Sequence, residues 1–153
     1  MTPFDWKEFY DVGDHLAKHS KKESYQRSAI GRYYYSCFGP VKNYYEKSFR
    51  KTLSSNDSHS TLIRILTNSP FLEEQKLGKK LEDLRDNRNF ADYRHGKLRK
   101  NLVKDSKKDA EEIFLMLDRL YKNPLRLMNK VTLKKDNYYL SASFLIQIIE
   151  FNI

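Results

Sequence analysis

The sequence predicts an all-α protein, a bundle of about five helices, and three observations predict it. Glycine and proline are scarce, 5 and 4 in 153 residues, too few for the many turns of a sheet protein. No period repeats along the chain. Several apolar stripes recur at three- and four-residue steps behind capping signatures, the pattern of helices that each bury one face.

Thr2, Pro3 and Asp5 read as an N-cap, a proline at the first helical position and an acid at the third, opening a first helix with Trp6, Phe9, Tyr10 and Leu16 along one side. Ser20 to Glu23, S-K-K-E, reads as a capping box before a long second helix, in which Ala29, Ile30, Tyr33, Cys37, Val41, Tyr44 and Ser48 follow helical spacing. Pro40 removes a backbone hydrogen bond there and crowds the preceding turn, so a kink is expected near Ser36 to Pro40. Ser54 to Ser60 reads as a loop, T-L-I-R-I-L as a short third helix, and Ser69-Pro70 as the start of a fourth. The fourth carries Leu77, Leu81 and Leu84 on one stripe and is expected to end near Asn87 or Arg88, leaving N-F-A-D-Y-R-H-G-K as a connection. Ser106 with Asp109 opens the fifth, whose Ala110, Ile113, Phe114, Leu117 and Tyr121 face the core until Asn123-Pro124. Residues 1–124 thus form one bundle domain. Residues 125–153 form an extension, packed on the bundle or at a dimer interface, whose apolar residues suit a strand or a helix, with helix preferred.

Lysine and arginine number 29 against 20 acidic residues, a net charge of +9, which favours an anionic partner with nucleic acid first among the candidates. Solvation of helix faces is the other use of such an excess. Cys37 is the single cysteine, which leaves no disulfide framework and fits a reducing, cytoplasmic compartment. His15 and His19 stand one helical turn apart without an evident third ligand, and His59 is isolated, so no metal and no cofactor is expected. The start MTPFDWKEF lacks the basic segment and apolar run of a secretion signal, and no stretch is apolar for long enough to span a bilayer.

The chemistry concentrates in L-E-D-L-R-D-N-R-N-F-A-D-Y-R-H-G-K-L-R-K, and above all in Arg88 and His95. Histidine has the side chain whose ordinary pKa lies nearest neutrality, so it can take a proton from a ribose 2′-hydroxyl or return one to a leaving oxygen. Arginine stays charged and holds two phosphate oxygens at once, stabilising the negative charge that builds on attacked phosphorus without a metal. A second reading pairs Arg88 with an acid such as Asp92 and has His95 capping a helix end. Arg85, Arg94, Lys97, Arg99 and Lys100 bracket the pair and can follow an RNA backbone or simply solvate a loop. Asp92 and Tyr93 read as residues that hold this loop by hydrogen bonds. Tyr33-Tyr34-Tyr35 and Tyr44-Tyr45 can stack on unpaired bases, but core packing is the preferred reading, with Tyr33 inward. Arg32 either reaches the Arg88 site or pairs with an acid on a neighbouring helix.

The string S-A-I-G-R-Y-Y-Y-S-C-F, Ser28 to Phe38, followed by L-R-D-N-R-N-F-A-D-Y, Leu84 to Tyr93, resembles the HEPN family over roughly residues 4 to 122. The resemblance implies a helical bundle that pairs as a homodimer, with an Arg-x(4–6)-His motif from each chain lining one cleft. Arg88, six intervening residues and His95 match that motif, and Asn89 matches its polar position. Active members are metal-independent endoribonucleases, often toxins of toxin–antitoxin or phage-defence systems with a cognate antitoxin. By that likeness Arg88 binds the scissile phosphate, His95 is the general acid or base, and Asn89 orients them while the 2′-hydroxyl attacks, with Asp92, Tyr93 and Arg32 in support. Other members lack the histidine and bind nucleic acid, a nucleotide or a partner protein without cutting. Gly39-Pro40 departs from the family's second helix, which implies a differently shaped entrance to the cleft.

Overall fold

The computed structural model describes residues 4–54 and 57–123 and is all-helical over them. Five helices follow in order: α1 Glu8–His19, α2 Glu23–Phe49, α3 Ser58–Thr67, α4 Leu72–Tyr93 and α5 Leu102–Lys122. The expected extension, residues 125–153, lies outside the described residues, as does the cap expected at Thr2 and Pro3. No helix among the described residues is long and apolar enough to cross a membrane.

Helix α2 is the axis of the bundle: α1, α4 and α5 all pack on it, while α3 packs mainly on α4. A helix surrounded in this way must be apolar on most of its circumference. Ala29, Ile30, Tyr33, Tyr34, Cys37, Phe38, Val41, Tyr44 and Tyr45 are accordingly all buried. All but Ile30 meet Leu62 and Leu66 of α3, Leu77, Leu81 and Leu84 of α4, and Ala110, Ile113, Leu117 and Leu120 of α5 in one core, while Ile30 packs in a smaller cluster with Ala91 and Leu102. The tyrosines therefore serve packing, with Tyr35 only partly buried. Their hydroxyls find partners: Tyr33 donates to Asp14 at 3.0 Å and Tyr44 to the buried Glu74 at 2.6 Å. At Gly78 a Cβ would lie 2.8 Å from Leu66 Cβ and from Thr67 N, so only glycine lets α3 and α4 approach this closely.

Several boundaries differ from the sequence reading, each for a local reason. Helix α1 starts at Glu8 after a turn in which Asp5 accepts from the Lys7 N–H at 2.9 Å. Ser20 makes no capping box; it accepts the Lys22 N–H at 3.1 Å, and Gln26 ties the turn by donating to the Ala17 and Ser20 carbonyls. Helix α2 has Pro40 inside it, as the sequence reading expects. At Gly39 a Cβ would fall 2.1 Å from Trp6, so Gly39 is the slot for the indole. Helix α3 begins inside the expected loop, at Ser58, and α4 begins at Leu72, past Ser69-Pro70, where Ser69 accepts the Phe71 N–H and donates to Glu74. Helix α5 begins at Leu102, a full turn before Ser106, whose hydroxyl is buried in the helix and has no hydrogen-bond partner among the described residues.

Candidate functional site

The largest departure falls on the chemical segment. Helix α4 continues to Tyr93, so Arg88, Asn89, Asp92 and Tyr93 are helical residues and not part of a connecting loop. Tertiary contact extends it: Ala91 is buried against Ile30 and Leu102, with Phe90 and Leu98 packed around them. Burial of this face outweighs the polar composition that reads as a break.

A residue the sequence reading did not single out terminates the helix. Arg27 of α2 donates from Nη1 to the carbonyls of Ala91 at 2.6 Å, Arg94 at 2.9 Å and Phe90 at 3.3 Å, and from Nη2 to that of Gly96 at 2.6 Å. A cation at the negative end of a helix also meets its dipole favourably. Glu23 holds the guanidinium from the other side, 2.7 Å away. Arg27 therefore clamps residues 94 to 96, and His95 stands exposed between two of its anchor points. The expectation that His95 caps a helix end is thus replaced by Arg27. His95 makes no hydrogen bond, ion pair or ring contact among the described residues. No sequence signal identifies Arg27, because its partners are backbone carbonyls more than sixty positions away.

Arg88 is held on several sides. Its Nη1 donates to Asn89 Oδ1 at 3.1 Å and its Nη2 to the Tyr35 hydroxyl at 3.0 Å. Asp92 Oδ2 lies 2.7 Å from Nε, but the N–H is not directed along that line, so the two form a close ion pair without an aligned hydrogen bond. The guanidinium also lies 5.0 Å from the centre of the Tyr93 ring, which is 65% exposed and makes this contact instead of a loop hydrogen bond. Arg32 pairs with no acid among the described residues; it lies 4.8 Å over the Phe9 ring and 5.6 Å from the Tyr35 ring, from which the Arg88 guanidinium lies 5.5 Å away. Tyr35 thus joins the two arginines.

Behind Tyr35 sits His59 of α3, which the sequence reading set aside. Its Nδ1 is 2.6 Å from the Tyr34 hydroxyl, and its ring stacks on Phe38 with centroids 3.9 Å apart. Burial, then the nearby Arg85 and Arg88, push its pKa below the ordinary histidine value. Burial likewise raises the Cys37 thiol to about 12, leaving it inert. Arg85 lines a cleft of about 450 Å³ with Asp57, Arg64 and Glu82. Arg94, Lys97 and Lys100 are exposed, while Arg99 pairs with Asp105 at 3.0 Å. His15 and His19 stack on each other, and no group of three potential ligands is placed to hold a metal ion among the described residues. No protein-family model, curated protein or solved structure matches this chain.

Proposed function

We propose that this chain is a metal-independent endoribonuclease of HEPN type, acting in the cytoplasm as a homodimer in which two α4 ends face one cleft. The observation that supports it is the fixed guanidinium of Arg88 close in sequence to a clamped turn that presents His95 to solvent. Among the described residues Nη1 and Nη2 each donate once, and each carries a second N–H that can donate to a phosphate oxygen. Asn89 holds the guanidinium plane. The ribose 2′-oxygen attacks phosphorus and forms a new O–P bond, His95 taking the 2′-hydroxyl proton or delivering one to the leaving oxygen, the P–O bond to that oxygen breaks, and a cyclic phosphate remains. Exposed Arg94, Lys97 and Lys100 follow the RNA backbone, with binding that weakens steeply with salt. On this reading the chain is the toxin of a toxin–antitoxin or phage-defence system, and a cognate antitoxin covers the cleft.

A second reading, a HEPN module that binds nucleic acid, a nucleotide or a partner protein without cutting, is favoured by one observation: Arg88 is already paired with Asp92 while His95 has no hydrogen bond, ion pair or ring contact among the described residues. The test is incubation of wild type and His95→Ala with total RNA in excess EDTA, followed by end-group analysis. Cyclic-phosphate ends from wild type alone support the nuclease. Equal cutting by both proteins removes His95 from the mechanism, and binding without cutting selects the second reading.

A further inference from the structure

Beside the Arg88 site lies a cleft of about 470 Å³ lined by Phe4, Trp6, Phe9, Arg32 and Tyr35. Its rings meet edge to face and tilted: Phe4 lies 5.5 Å from Trp6 and 5.2 Å from Phe9, and Phe9 6.4 Å from Tyr35. Phe4 is 52% exposed, so a large apolar ring faces solvent at the mouth. Two features separate this cleft from an ordinary exposed apolar patch. Arg32 spreads over two of its rings without an acidic partner among the described residues, leaving a positive charge inside an aromatic groove. The groove is also continuous with Arg88 through Tyr35, whose hydroxyl accepts from Arg88 while its ring lies under both guanidiniums. A ligand that satisfies both features has a flat ring and an adjacent anionic group, spaced so that the ring enters the cleft while the anion lies between Arg32 and Arg88.

We propose that this cleft stacks one unpaired base of single-stranded RNA whose neighbouring phosphate is held by Arg32 and Arg88. The proposal rests on the RNA reading above and adds where the base goes. Aromatic faces and arginine planes hold any unpaired base, because every base has a π-face, so the cleft selects single strands over duplex rather than one sequence. Of the tyrosines the sequence suggests for stacking, Tyr33, Tyr34, Tyr44 and Tyr45 are buried, while Tyr35 lines the cleft and shares the platform with Phe4, Trp6 and Phe9.

Trp6 is the single tryptophan, so its fluorescence reports on this cleft alone. The experiment titrates the full-length protein, at low salt, with a fluorescein-labelled ten-nucleotide single-stranded RNA whose 2′-O-methyl groups block cutting by 2′-hydroxyl attack, following anisotropy for binding and, with the unlabelled form of the same strand, Trp6 emission for stacking. A blunt RNA duplex and a backbone with abasic positions serve as comparisons. The expected result is quenching of Trp6 by the single strand and not by the duplex or the abasic strand. Phe4→Ala, at an exposed ring that folding does not need, should weaken single-strand binding about tenfold while leaving the salt slope unchanged. Binding seen by anisotropy with unquenched Trp6 and unaltered affinity in Phe4→Ala overturns the cleft and leaves RNA binding standing. No binding of any RNA overturns both readings. A Phe4→Ala variant that changes oligomeric state without changing RNA affinity assigns the cleft to contact between copies, and the proposal fails.

Discussion

Arg27→Ala should unfasten the end of α4 and the turn that carries His95. The arginine side chain is 21% exposed and serves four carbonyls, those of Phe90, Ala91, Arg94 and Gly96. These are not of equal weight. The Phe90 carbonyl keeps the Arg94 N–H at 3.1 Å, and the Arg94 and Gly96 carbonyls belong to exposed residues that water can reach. Ala91 is buried, so its carbonyl loses a charged partner with poor access to a replacement. A charged hydrogen bond of about 1.5–3 kcal/mol at Ala91, with small additions from the exposed carbonyls, gives a loss of about 2–3 kcal/mol. For a chain of this length that corresponds to a fall in Tm of about 5–10 °C. Arg27→Lys retains the charge but replaces a planar fork by a single point, and should recover less than half of the loss. Thermal denaturation measures the total, and amide exchange locates it: protection at Arg94 should fall while that in the middle of α2 is reduced only by the global change. A Tm within 2 °C of wild type together with unchanged exchange at residues 94 to 98 would refute the clamp.

Three further predictions follow from buried and partly buried polar groups. His59 is held neutral by burial and by Arg85 and Arg88, so its NMR titration midpoint should lie below 6.5 and rise in Arg85→Ala; because its folded pKa is depressed, the stability it contributes is present above pH 6.5 and lost as pH falls through the folded value. Burial works against the Asp14 carboxylate, but hydrogen bonds from Lys107, Lys18 and Tyr33 prevail and hold its pKa down at about 2 against 3.8. Its contribution is therefore complete above pH 3.8 and lost between there and pH 2; with screening at a side chain 20% exposed it amounts to about 1 kcal/mol, which denaturant melts of Asp14→Asn at pH 6 and pH 2 should show and then lose. Ser106→Ala removes a buried hydroxyl that has no partner among the described residues and improves helix propensity, so denaturant melts should show a gain of about 1 kcal/mol; a loss would mean that the hydroxyl is satisfied.

Helical class was legible in the sequence because it depends on local periodicity, and the stripes of Leu77, Leu81, Leu84 and of Ala110, Ile113, Leu117 face the core as their spacing requires. The pairing of Arg88 with Asp92 was legible as one of two readings, but its geometry, four positions apart on one helix face, was not, because the sequence reading ends α4 before Asn89. Caps were less legible. Ser20 and Ser106 carry capping residue types, but the chain direction at those points is set by packing against other helices, which a four-residue signature does not contain.

By itself, then, the sequence determined the helices, the basic charge and the local group around Arg88, all properties of residue type and short spacing. Only the tertiary structure decided that Arg27 ends α4, that Tyr35 joins Arg32 to Arg88, that His59 lies behind them, and that Phe4, Trp6 and Phe9 form a cleft at that place. Those contacts join residues brought together by the crossing of helices, and the free energy that selects them is the burial of the shared core around α2 rather than any preference of the segments themselves.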